Sequence, residues 1–274
     1  MPFETHNNFQ LSRKGGVGYL ESTVLGEYDF IVHAFLTRQG GAGDKRPVNL
    51  SFGNPPGESK ETITRNWKLL SSAFDIPVEN FFTVDQVHGG EILIIDDDPD
   101  AVAGKGEKLP FDGIITAMPN IAIGIKTADC VPLFLIDPVK RIIGAVHAGW
   151  KGTACSIALR AIDLFERRYR SDLKDISVVI GPAIGPCCYE VDRRVLKSMK
   201  DLPGRDLYFT KGDGEGTWML DLDAANKYQL VKRGIPSGNI YSANLCTSCH
   251  RDTFFSHRGE GGGTGRQLNF IMLR

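Results

Sequence analysis

CVPLFLIDPVKRIIGAVH, residues 130–147, sets two apolar runs on either side of Asp137-Pro138-Val139-Lys140. Asp at the first position and Pro at the second suit a type I turn, so the stretch predicts a hairpin of two strands. If Asp137 faces Lys140 across that turn, Cys130 falls opposite His147. Opposed residues of an antiparallel pair have β-carbons about 4.5–5.5 Å apart on one face of the sheet. A thiolate and an imidazole at that separation can ligate one ion, since Zn–S is about 2.3 Å and Zn–N about 2.0–2.1 Å. Pro132 cannot donate to a ladder, which predicts that its strand lies at a sheet edge or carries a bulge.

Working outward, FFTVDQ, EILIID, DGIIT and IAIGIKT precede the hairpin as short apolar runs with strand character. FIVHAFLT (30–37) opens the predicted strands and leads into the glycine-rich loop RQGGAGDKRP and the short segment VNLSFG. Residues 59–74 have Ser at the head and Ile63, Trp67, Leu70 and Phe74 at helical spacing. TACSIALRAIDLFERRY and DLDAANKYQLVKRG read as two further helices, the second stopping at Gly234. ISVVIGP, NIYSANL and RQLNFIML complete the predicted strands. Runs of strands with a few helices between them predict an α+β fold with a mixed sheet. No repeat or linker divides the chain, so one domain over residues 1–274 is expected.

Lys plus Arg number 32 against 33 Asp plus Glu in 274 residues, with no long run of one sign. That balance argues against a nucleic-acid footprint or a basic membrane face and points to a small-molecule partner. The N-terminal stretch has no apolar core of a signal peptide, and no later window reaches the roughly 18 apolar residues of a spanning helix. A cytoplasmic protein is expected. Six cysteines, unevenly spaced, read as thiols rather than a disulfide scaffold.

His88, in DQVHGGE, ends a predicted strand beside two glycines and is the third candidate ligand. A His, Cys, His set without a fourth obvious donor matches catalytic zinc, and its softness also suits copper. The same residues admit a metal-free reading in which Cys130 is a nucleophile and His147 its base. Asp129 is a candidate proton carrier if the chain near Pro132 turns it inward, and otherwise a carboxylate supporting a ligand. CTSCHR (246–251) contains C-x-x-C, half of a four-cysteine site, for which the adjacent Cys187 and Cys188 are poorly placed as the other half.

TADCVPLFLID, AVHAGWKGT, DQVHGG, GPAIGPCCYEV and the closing CT, FFSHR and TGRQ segments resemble the YfiH-type laccase-domain family, long labelled multicopper polyphenol oxidase. The resemblance runs from about residue 30 to the C-terminus. It implies a layered α+β sandwich related to bacterial toxin deamidases. It also implies phosphorolysis of adenosine, inosine, guanosine and methylthioadenosine to base and sugar 1-phosphate, together with hydrolytic deamination of adenosine. By the same resemblance zinc sits on His88, Cys130 and His147, with copper in the older oxidase label, and Cys246 lies near the active site. The expected partners are purine nucleosides and phosphate, with no nucleic acid and no membrane, and homodimer formation is left open. Where the family commonly has Tyr and a second Arg in FFSYRR, this chain has His257 and Gly259. Phosphate calls for the rigid donor fork of arginine, and Arg38, Arg258 and Arg266 are the candidates. Asn49 and Ser51 are candidate hydrogen-bonders to sugar or base.

Overall fold

The computed structural model describes residues 8–41, 49–53, 58–97 and 109–274. Part of the glycine-rich loop, RQGGAGDKRP, lies outside them. The first strands are β1 (Phe9–Lys14), β2 (Val17–Ser22), β3 (Ile31–Leu36), β4 (Phe81–Thr83), β5 (Ile92–Ile95), β6 (Gly113–Thr116), β7 (Ala122–Thr127), β8 (Val131–Asp137) and β9 (Ile142–Ala148). They are followed by β10 (Ser177–Ile180), β11 (Glu190–Asp192), β12 (Phe209–Lys211), β13 (Thr217–Leu220), β14 (Ile240–Ser242) and β15 (Gln267–Leu273). The helices are α1 (Thr23–Gly26), α2 (Lys60–Phe74), α3 (Trp150–Ala154), α4 (Ile157–Tyr169), α5 (Arg193–Ser198) and α6 (Leu222–Arg233).

Two six-stranded mixed sheets form the frame, in the orders β1-β2-β3-β15-β7-β4 and β14-β10-β8-β9-β6-β5. A small sheet, β11-β13-β12, stands beside them. The predicted α+β class and layered sandwich are what the chain adopts. Successive residues of β8 explain the layering, because side chains alternate across a strand. Phe134 and Ile136 enter the core between the sheets, where Phe134 stacks on Phe35 of β3 at a centroid distance of 4.4 Å. Leu133 and Leu135 face the other way, into a core shared with Ile162 and Phe165 of α4 and Ala225 and Leu230 of α6. The outer face of the first sheet buries Ala34, Leu268 and Phe270 beneath Leu70 and Phe74 of α2. A strand covered on both faces has no polar side to display, which is why β8 and β9 read as continuous apolar runs. Truncating Phe134 to Ala would cost about 3–5 kcal/mol.

Helix α2 begins where the sequence says it should, with the Ser59 hydroxyl accepting the Thr62 N–H at 3.2 Å, a cap worth about 1 kcal/mol. Gly234 ends α6 at φ 111°. The expected helix over 153–169 is instead two helices, broken at Ser156, whose φ is 58°. Strands β1 and β2, the small sheet and α5 were not anticipated.

Two expectations for the hairpin are corrected. Asp137 pairs with Ile142, not Lys140, so Pro132 lies opposite His147 and Cys130 lies one residue before the strand. The turn is wider because the Asp137 carboxylate accepts the N–H groups of both Val139 and Lys140, each at 2.9 Å, and Arg141 adopts φ 53°. Nor is β8 an edge strand, since it pairs with both β9 and β10. Its ladder to β10 starts at Leu133 opposite Ile180, one residue past Pro132. The missing N–H of Pro132 therefore removes none of those bonds, while its carbonyl accepts Gly181 N–H at 2.9 Å.

Candidate metal centre and its cavity

The wider turn moves Cys130 by two positions relative to β9, and a two-residue shift keeps a side chain on the same face. Cys130 thus still reaches His147, now diagonally, and its register neighbour becomes Gly149. A β-carbon at Gly149 would stand 2.9 Å from Cys130 Sγ and 3.1 Å from His88 Cδ2. The absence of that carbon is what lets the thiol and the imidazole converge.

His88 arrives from a bend between β4 and β5, with φ 60°. Its backbone is held there by Asp112, whose carboxylate accepts the N–H groups of Val87 at 3.3 Å, His88 at 2.9 Å and Gly89 at 2.6 Å. The same carboxylate accepts from His147 Nδ1 at 2.8 Å, which leaves Nε2 as that ring's ligating atom. Cys130 Sγ lies 3.9 Å from His88 Nε2, and the two imidazoles meet edge to face at 4.8 Å. The ligand atoms of His88, Cys130 and His147 all lie within 4.8 Å of one another. Two imidazoles and a thiolate, one imidazole backed by a carboxylate, form a donor set that fits zinc or copper.

The electrostatics support an ionised thiol. Burial disfavours a charge on Cys130, but the neighbouring His147 and His88 rings outweigh it and hold the thiol at about 6. Burial likewise opposes a proton on His147, while Cys130 and Asp112 together raise it to about 9. For Asp112, burial is outweighed by His147 and the Gly89 and His88 amides, and its value is lowered.

These ligands open into a cavity of about 730 Å³ whose lining includes Lys126, Arg258 and Arg266 as cations and Trp150 and Tyr189 as rings. Of the sequence-predicted residues, His88, Cys130, His147 and Arg258 meet at this cavity, as does Arg266. Arg38, Asn49 and Ser51 are not among its described lining. The Arg38 fork donates to Asn49 Oδ1 at 3.1 Å, Glu260 Oε1 at 3.0 Å and the Arg251 carbonyl at 2.8 Å. The Ser51 hydroxyl accepts the Arg266 N–H at 3.1 Å, steadying the segment that bears that arginine. Asp129 does turn inward, at φ 91°, yet its carboxylate is taken up by Thr247 Oγ1 at 2.6 Å and Arg258 N–H at 2.7 Å. It positions Arg258 and does not present a free oxygen.

Asp112, Trp150, Tyr189 and Lys126 were not singled out from the sequence. Asp112 left a trace there as a charged residue immediately ahead of an apolar run, and Trp150 and Tyr189 stand within AVHAGWKGT and GPAIGPCCYEV. The pairing thought unsuitable for C-x-x-C also forms: Cys187, Cys188, Cys246 and Cys249 have their sulfurs within 4.8 Å of one another. Cys187 and Cys188 sit on a turn closed by Cys188 N–H and Tyr189 N–H on the Gly185 carbonyl, at 3.0 and 3.1 Å. On a turn, neighbouring side chains need not point to opposite sides as they do on a strand.

Residues 32–274 match the model of the multi-copper polyphenol oxidoreductase laccase family, and the chain belongs to that family. It is 37% identical over 246 residues to the purine nucleoside phosphorylase YlmD of Geobacillus stearothermophilus, covering 88% of this chain and 90% of that one. It is 32% identical to the human purine nucleoside phosphorylase LACC1, over 90% of this chain and 56% of the human protein. The crystal structure of the Bacillus licheniformis hypothetical protein YfiH superposes with a TM-score of 0.88 at 34% identity, covering 98% of this chain and all of that one. Among the described residues, no helix is long and apolar enough to cross a membrane.

Proposed function

We propose that the chain is a purine nucleoside phosphorylase that also deaminates adenosine, working from the cavity at His88, Cys130 and His147 with zinc held by those three residues. The observation that carries this reading is the convergence of that donor set with three cationic side chains on one cavity of about 730 Å³, a volume within the range of small-molecule sites. The relatives' names supply the substrate class. When bound, the ion supplies Lewis acidity.

The chain's own residues have separable tasks. Asp112 fixes the His147 tautomer, leaving that ring's Nε2 to ligate, and braces the backbone of His88, whose own Nε2 faces Cys130. Arg258, Arg266 and Lys126 offer positive charge for inorganic phosphate, with Arg258 oriented through its own N–H on Asp129. Trp150 and Tyr189 offer flat faces to a purine. In phosphorolysis a phosphate oxygen bonds to the anomeric carbon, the glycosidic C–N bond breaks, and its electron pair leaves on the purine nitrogen, which takes up a proton. In deamination water adds at the amine-bearing carbon and ammonia departs.

A second reading has one observation in its favour, the Cys130 thiol within 4.8 Å of the His147 ligand atom, where each group favours the charged form of the other. In it the thiolate is itself the nucleophile of a metal-free hydrolase. Purified protein incubated with inosine, with and without phosphate, separates the two. The phosphorylase reading expects hypoxanthine and ribose 1-phosphate only when phosphate is present, and loss of both in metal-depleted protein. Base release that needs neither phosphate nor metal would replace it with the hydrolase. No release, with oxidation of a phenol instead, would return the site to the chemistry in the family's description.

A further inference from the structure

Four of the six cysteines play no part in that site, and they converge from two loops distant in sequence. Cys187 and Cys188 lie between β10 and β11, and Cys246 and Cys249 follow β14. Cys249 Sγ is 3.5 Å from both Cys187 Sγ and Cys188 Sγ. These separations are far beyond a disulfide bond of about 2.05 Å. They are close to the ~3.8 Å edge of a tetrahedron built on Zn–S bonds of about 2.3 Å.

The surroundings are shaped for sulfur. Gly185 N–H donates to Cys246 Sγ at 3.2 Å. An amide aimed at sulfur favours the thiolate, the form that binds metal. A β-carbon on Gly185 would lie 3.3 Å from Cys246 Cβ and 3.4 Å from Cys187 Sγ, so a side chain there would crowd the cluster. Four thiolates this close repel one another unless a cation sits among them.

We infer that Cys187, Cys188, Cys246 and Cys249 form a second metal site, which holds one zinc ion with four thiolates and is structural, not catalytic. A full set of four protein ligands leaves no position for substrate, in contrast to the three donors at His88, Cys130 and His147. The ion ties the loop that brings Tyr189 to the cavity to the loop whose Thr247 supports Asp129. Tyr189 follows Cys188 directly, and Thr247, next to Cys246, donates to Asp129, which in turn holds Arg258. Arg258 itself lies over the Tyr189 ring at 5.2 Å.

The test is metal content in a full-length chain whose first site has been disabled by His88→Ala and His147→Ala, purified under reducing conditions with zinc. About one zinc per chain is expected to remain, as for any single site. Adding Cys249→Ser to that background should remove it, with the fold checked by circular dichroism. Cobalt titration of the unmutated protein gives a second readout that needs no variant to fold. Two sites should fill, and one should show the far stronger thiolate-to-cobalt absorption of four sulfurs. The inference is overturned if the folded double variant holds no zinc, if cobalt fills only a single-thiolate site, or if intact mass under reducing purification finds these cysteines joined as disulfides.

Discussion

Asp112 Oδ1 lies 2.8 Å from His147 Nδ1, and the same carboxylate gathers the N–H groups of His88 and Gly89. One buried side chain therefore sets both the tautomer of one candidate ligand and the backbone position of another. Asp112→Asn is close to isosteric but lacks the charge and one acceptor. Partners of this kind are worth about 10- to 100-fold in metal affinity, and a loss of that size is expected in competition titrations of zinc against a chelator. Unchanged affinity would mean that Asp112 serves the fold alone.

Cys130 should be the most reactive thiol of the metal-depleted chain. Its value of about 6, against an ordinary 9.0, means that the thiolate predominates above pH 6. Alkylation followed by peptide mass should therefore be near its plateau at pH 7 and fall as pH drops through about 6. Burial raises the corresponding value of Cys155, so that thiol should lag at neutral pH. Zinc should protect Cys130, and His147→Gln should move the midpoint upward, because the neighbouring positive charge is gone.

Gly149→Ala isolates a steric demand. Gly149 sits at φ −71° and ψ 175° ahead of α3, a conformation open to alanine, so backbone strain does not enter. The added carbon meets Cys130 Sγ at 2.9 Å and His88 Cδ2 at 3.1 Å. Zinc affinity should fall at least tenfold, about 1.4 kcal/mol, with thermal stability nearly unaltered. A variant that bound zinc normally would show that the two ligands have slack to move apart.

His33 predicts an acid dependence remote from the cavity. Burial lowers it from 6.5 to about 4, and its Nε2 accepts the Ser22 N–H at 2.8 Å, a bond that only the unprotonated nitrogen can make. The folded value is below the unfolded one, so as pH falls the unfolded chain takes up the proton first. Stability present above about pH 6.5 is then lost progressively toward pH 4, and the full difference is about 3 kcal/mol. Denaturant melts of the unmutated chain and His33→Gln across this range should diverge in slope, the variant being flatter. Parallel curves would remove His33 from the account.

The hairpin at Cys130 and His147 was legible because β8 and β9 are apolar along their whole length and flank a turn with Asp and Pro. The register was not, because the Asp137 carboxylate bonds two backbone amides and widens the turn, which composition does not disclose. The site survived that error through parity, since a shift of two residues returns every side chain to its own face. Strands β1 and β2 escaped notice because FQLSRK is largely polar and exposed on its outer edge. Arg38 and Arg258 look alike as isolated arginines. What separates them is Glu260, which engages one, and the cavity, which receives the other. The cysteine quartet depended on a local turn that no spacing rule describes.

The placement of β15 between β3 and β7 bears on how the molecule is assembled. Both partners are made long before it, and each keeps an open edge until it arrives, with nearly every other strand formed in the interval. Contacts so distant along the chain slow folding, and unpaired strand edges are templates for joining other chains. Arg258 and Arg266 reach the cavity on the segment leading into that same strand. Closing the sheet and completing the cationic wall therefore depend on the same C-terminal segment.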